Sequence, residues 1–129
     1  MSQHIKTIPT SEYLSVVAVA ENYIVGLKTG DVAQVARSFH SDATIHGFGA
    51  DGSLLSGPIS ALYSFMETFG ASPNIVARSD VTSITSTTAA VKVDIEGDVA
   101  GNDFTDNLTL LKLDGKWVII VKVFHCYTK

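Results

Sequence analysis

Residues 104–125 read FTDNLTLLKLDGKWVIIVKVFH, two apolar runs on either side of Asp114-Gly115. Asp-Gly between alternating runs is a two-residue hairpin signal, because a type I′ turn needs two residues that tolerate positive φ. The turn also sets the register. Leu113 is expected opposite Lys116, Leu110 opposite Ile119, Asp106 opposite Val123 and Phe104 opposite His125. Side chains alternate along a strand. One face then carries Phe104, Asp106, Leu108, Leu110, Trp117, Ile119, Val121, Val123 and His125. The other carries Thr105, Asn107, Thr109, Leu111, Val118, Ile120, Lys122, Phe124 and Cys126. The first face is the more apolar and holds the only tryptophan, so it is assigned to the interior. Asp106 and His125 become diagonal cross-strand neighbours, roughly 7–8 Å apart at the backbone.

Working outward, the segment after Ile75 reads as sheet. Val76 to Thr85 is rich in β-branched residues, and Val91, Val93 and Ile95 alternate with Lys92, Asp94 and Glu96. The first half reads as helix. Tyr13, Val16, Val17, Ala20, Tyr23, Ile24 and Leu27 recur at helical spacing over Ser11 to Thr29, and Gly30 suits the stop. Asp31 with Gln34 forms a capping-box pattern for a short helix ending near Ser38. Asp42 to Phe48 reads as a strand and ADGSLLSG as a loop. Pro58 is expected in the first turn of a third helix with Ile59, Leu62, Phe65, Met66 and Phe69 on its apolar stripe. Helices gathered ahead of a run of strands predict an α+β domain, with the helices on one face of a curved antiparallel sheet. The 129 residues form one domain, with residues 1–10 as a flexible lead-in.

Composition narrows the function. Hydrophobic residues make up 46 % of the chain and charged residues 17 %, which supports a packed core. A net charge of −4 without a basic run argues against nucleic acid and against an anionic membrane surface. The single cysteine, Cys126, excludes an intrachain disulfide. No signal peptide or spanning segment is read, which predicts a soluble cytoplasmic protein. No cofactor is expected: GFGADG (Gly47 to Gly52) matches G-x-G-x-x-G, but no helix starts within it and no βαβ unit follows. No metal is expected either, because the four histidines and the lone cysteine lack ligand spacing.

The candidate chemistry lies in Asp106, His125 and His46. A carboxylate beside an imidazole orients it and raises its basicity, as general acid–base catalysis requires. The competing reading is a hydrogen-bonded structural pair at a pocket rim. Tyr13 and Tyr23 lie on the apolar stripe of the first helix, where a hydroxyl can reach a cavity or simply satisfy itself in the core.

The chain resembles the nuclear transport factor 2-like (SnoaL-like) superfamily. The resemblance rests on YIVGLKTGDVAQVARSFHSDATIHG (residues 23–47) and on the 104–125 hairpin. The hairpin is similar to the branch named putative lumazine-binding proteins through its Phe-Thr-Asp, Leu-Asp-Gly-Lys-Trp and Lys-Val-Phe. It implies a cone-shaped α+β fold of the cystatin-like kind, with three helices on the concave side of the sheet and an apolar cavity at the open end. The superfamily includes ketosteroid isomerases, polyketide cyclases, epoxide hydrolases, dehydratases and non-enzymatic binding domains, so the fold leaves the function open. Its enzymes generally place a carboxylate or a His–Asp pair in the cavity. The expectation is a small-molecule pocket lined by Tyr13, Tyr23, Phe65, Phe104, Trp117, Val121 and Val123. It would serve an acid–base isomerase, cyclase or dehydratase acting on an apolar cyclic metabolite. The alternative is a non-catalytic ligand-binding module or a dimeric accessory protein. The mixed second face of the hairpin suits a partner surface, which, with the resemblance, predicts a homodimer.

Overall fold

In the computed structural model, Asp114 and Gly115 take φ of 50° and 77°, both positive as a type I′ turn demands. The structure describes residues 4–128; positions 1–3 of the expected lead-in lie outside the described residues, and residues 4–9 precede the first helix without regular structure. In chain order the elements are α1 (Thr10–Thr29), α2 (Val32–Ala36), β1 (Phe39–Phe48), β2 (Leu54–Pro58), α3 (Ser60–Phe69), β3 (Val76–Ile84), β4 (Thr88–Glu96), β5 (Asp103–Leu113) and β6 (Lys116–Tyr127). The six strands form one sheet in the order β2-β1-β6-β5-β4-β3. All neighbours are antiparallel except β1 and β6, which run parallel. Among the described residues no helix is long and apolar enough to cross a membrane.

The helices end where their chemistry says. Gly30 closes α1 in the left-handed conformation at φ 74°, and Asp31 accepts a hydrogen bond from the Gln34 N–H to start α2. Val16, Ala20, Tyr23 and Ile24 of α1 are buried with Leu62 and Met66 of α3. They share a core with Val91, Val93 and Ile95 of β4 and Leu108 and Leu110 of β5. Each fully buried aliphatic side chain contributes about 1.5–3 kcal/mol.

One expected loop is a strand. Leu54–Pro58 pairs antiparallel with β1, Thr44 opposite Pro58 and Phe48 opposite Leu54. Pro58 therefore closes β2, and the α3 helix starts at Ser60. An edge strand tolerates proline because one side of it needs no donor. The segment was hard to read as a strand because it is short and four of its five residues are exposed.

The larger correction lies in the deciding hairpin. Leu113 pairs with Lys116, Lys112 with Trp117 and Leu110 with Ile119, as expected from the turn. The next pair is Thr109 with Val121, so β6 carries one extra residue, Ile120, in a β-bulge. Beyond it every side chain of β6 changes face. Lys122 and Cys126 become buried and Phe124 packs against the core, while Val123 and His125 are exposed. The bulge falls where β1 joins the sheet: the Ile119 N–H donates to the Ser38 carbonyl and Phe39 sits beside Ile119. Gly47 allows the new arrangement, since a Cβ there would meet the Phe124 ring at 2.7 Å and its carbonyl oxygen at 2.3 Å. The outward hairpin face, on which a homodimer was expected, thus holds Val121, Val123 and His125 in place of Lys122, Phe124 and Cys126.

At the turn end of the hairpin, Glu12 fastens α1 to the sheet. It accepts hydrogen bonds from Lys112 Nζ and, at 2.8 Å, from Trp117 Nε1. These two bonds, Lys112 first, hold its carboxyl below the ordinary glutamate value of 4.5. A depressed acid stabilises the fold above its unfolded-state pKa and loses that contribution as pH falls through its folded value. Glu12→Gln should therefore melt below the wild type at pH 7, with the gap closing as the pH is lowered through and below about 4. A melting-temperature difference that stays constant over that range would remove the ion pair as its cause.

Candidate functional site

Between the helices and the concave sheet face lies a cavity of about 260 Å³. Leu27, Ile45, Leu62, Phe65, Phe104 and Phe124 give it apolar walls, and Gly49, Ala50, Ser53, Asp98 and Asn102 come from loops that border it. Three polar side chains from three different elements meet in this apolar lining. The Tyr23 hydroxyl, from α1, donates to Asp106 Oδ2 of β5 at 2.8 Å. Lys122 Nζ, from β6, donates to the same hydroxyl oxygen at 2.7 Å and stands 3.6 Å from Asp106 Oδ2. Tyr23 and Asp106 are fully buried, and Lys122 is only 6 % exposed. The other carboxylate oxygen, Asp106 Oδ1, is buried without a hydrogen-bond partner among the described residues.

A buried carboxylate oxygen with no donor is costly, on the order of 1–3 kcal/mol or more for a charged group. Most native buried polar atoms avoid this, so the exception calls for a ligand, a water or a chemical role. Tyr23 is held in place by an edge-to-face contact with Phe39, ring centroids 5.5 Å apart. Burial, then the Asp106 charge and hydrogen bond, push its hydroxyl well above the ordinary tyrosine value of 10. It keeps its proton at any working pH. The Lys122 ammonium lies 5.1 Å from the Tyr23 ring centre and 5.8 Å from that of Phe124, within cation–π range. Cys126 also lines the cavity. Burial, then the charges of Asp98 and Asp103, push its thiol up, which disfavours a reactive thiolate.

Residues 11–125 match the model of the family described as putative lumazine-binding. The chain belongs to the putative lumazine-binding family. Aldolase FrzH from Cladobotryum sp is 38 % identical over 124 residues, covering 96 % of this chain and 98 % of that protein. An NTF2-like protein of unknown function from Shewanella baltica is 32 % identical, with a TM-score of 0.83 over 96 % of this chain and 100 % of its own. A second, from Methylobacillus flagellatus, is also 32 % identical, with a TM-score of 0.86 over 94 % and 96 %. The nuclear transport factor 2-like fold expected from the sequence is the fold observed.

In this member of the putative lumazine-binding family, the expected site residues are dispersed. Asp106, Tyr23, Phe65 and Phe104 line the cavity. His125 does not: it pairs with Thr105 on the outer face, exposed, its ring set edge-on to Tyr127 at 4.7 Å. The bulge separates it from Asp106, so the expected dyad is absent. His46 shares the outer face with Val123 and bonds Ser56 Oγ at 2.7 Å and Thr44 Oγ1 at 3.0 Å. Val121 and Val123 left the interior with His125. Trp117 is buried, but at the turn end with Glu12, away from the cavity lining. Tyr13 is 39 % exposed beside Lys6. Lys122, Phe124 and Cys126 are the lining residues that alternation assigned to the wrong face. Gly47 to Gly52 ends β1 and turns into β2, and among the described residues no group of three or more His, Cys, Asp or Glu could hold a metal ion.

Proposed function

We propose that the cavity catalyses proton transfer at a carbon next to a carbonyl group, in an aldol-type reaction on an apolar substrate. The observation that carries this reading is Asp106, which lines the apolar cavity and whose Oδ1 is buried without a hydrogen-bond partner among the described residues. In the first step Oδ1 takes the proton from the carbon, and the C–H electron pair becomes the enolate double bond while the carbonyl oxygen gains the charge. The enolate carbon then attacks a second carbonyl carbon, a carbon–carbon bond forms, and the alkoxide recovers the proton from Asp106. Atoms and electrons balance without a cofactor. The first step is common to isomerases, cyclases and aldolases, and an aldol step within one molecule closes a ring. The 38 % identity to a protein named an aldolase supports the same chemistry. The apolar walls select the substrate by excluding water and strengthening each polar contact inside.

The test is exchange of the α-protons of simple cyclic ketones in deuterium oxide, followed by proton NMR. The protein should accelerate exchange over buffer at the same pH, saturably in ketone. Saturable ketone binding with exchange no faster than in buffer would overturn the proposal and leave a module that shelters its ligand.

A further inference from the structure

We infer that Lys122 is the electrophilic catalytic residue of this site: its ammonium group donates a hydrogen bond to the substrate carbonyl oxygen and holds the enolate charge, without forming an imine. The inference rests on the aldol-type reading above and assigns the half of the reaction that Asp106 cannot perform.

Donor counting decides between the two groups near Asp106. A tyrosine hydroxyl has one hydrogen. Tyr23 gives it to Asp106 Oδ2, and its oxygen already accepts from Lys122. Tyr23 therefore has no proton to offer a substrate oxygen. It acts as a positioning residue, fixing the carboxylate on one side and the ammonium on the other. An ammonium has three hydrogens. One of those on Lys122 goes to Tyr23, and Asp106 Oδ2 at 3.6 Å is beyond hydrogen-bond length. Lys122 lines the cavity, so donor capacity remains for a ligand there.

The two open valences are complementary. Asp106 Oδ1 has no donor among the described residues and Lys122 has hydrogens left; both residues border the same mostly apolar cavity, with Lys122 Nζ 3.6 Å from the carboxylate's other oxygen, Oδ2. A substrate that loses a proton to the first gains a charge that the second neutralises. A preorganised charge in a water-excluded site stabilises developing negative charge far more than it does in water. Imine formation would need the nitrogen to shed its proton and turn a lone pair to the carbonyl carbon. Here the nitrogen is already committed as a donor to the Tyr23 oxygen at 2.7 Å, with Asp106 Oδ2 3.6 Å away, a geometry built for donation to an oxygen and not for attack on a carbon.

The test separates the binding of charge from turnover. Asp106→Asn mimics the protonated carboxyl that faces the enolate, and para-nitrophenolate mimics the enolate. Titration by absorbance should show that Asp106→Asn binds the phenolate in preference to the neutral phenol. Adding Lys122→Met should reduce that preference by at least about 10-fold. The unmodified protein, treated with cyclohexanone and borohydride, should show no added mass on Lys122 by peptide mass spectrometry. An unchanged phenolate preference in the double variant, or a reduced cyclohexanone adduct on Lys122, would each overturn the inference. If the ketone exchange assay fails while the phenolate preference depends on Lys122, the aldol reading falls and the anion-binding role of Lys122 stands.

Discussion

Asp106→Asn should lower turnover by at least about 100-fold, the low end for a general acid–base group, with ligand affinity retained within a few-fold. The asparagine has the same shape and can still accept from Tyr23 at the Oδ2 position. It cannot take a proton at the Oδ1 position. An effect on rate with little effect on binding is the signature of a group needed mainly in the transition state. Replacing His125 or His46 by alanine should leave the rate within about 2-fold, since both rings stand on the outer sheet face and neither lines the cavity. Steady-state kinetics on the three variants read all of this directly. A loss smaller than 10-fold for Asp106→Asn would remove the carboxylate from the chemistry; a large loss for His125→Ala would restore the histidine as base and contradict the bulged register.

The split between Asp106 and His125 shows what the sequence could and could not reveal. The Asp114-Gly115 turn was legible because positive φ at two successive positions has few residue solutions, and the pairs nearest the turn followed from it. Val91, Val93 and Ile95 were legible because charged neighbours mark the opposite face. The run from Val118 to Val123 offers no such contrast. It is apolar in both phases except for Lys122, so alternation cannot register a one-residue slip. What fixes the bulge is the docking of Ser38 and Phe39 against Ile119, roughly 80 residues away in sequence. A lysine is also assigned outward by default, because burial of its charge is tolerable only with partners in place. Those partners, Tyr23 and Asp106, come from elements that the sequence placed on the interior without showing that they meet.

The same trio makes a second prediction of large effect, on stability. Lys122→Met leaves the Asp106 carboxylate buried without its counter-charge, and Asp106→Leu leaves the ammonium in the same state. Breaking one side of a buried pair typically costs about 3–5 kcal/mol. That is a large share of the ~5–15 kcal/mol that holds a domain of this size together. The double variant Asp106→Leu with Lys122→Met removes both charges and fills the space with apolar atoms. It should lie closer to the wild type than either single variant, because the desolvation penalty disappears together with the attraction. Urea unfolding of the four proteins, analysed as a double-mutant cycle, gives the coupling directly. Tyr23 sharpens the expectation: its hydroxyl spans the two groups, so in the double variant it loses both polar partners and some cost remains. Single variants whose losses simply add in the double would show that the two charges do not depend on each other in the folded state. A double variant that is stable but inactive would mean that the pair is retained for chemistry, since the fold would then manage without it.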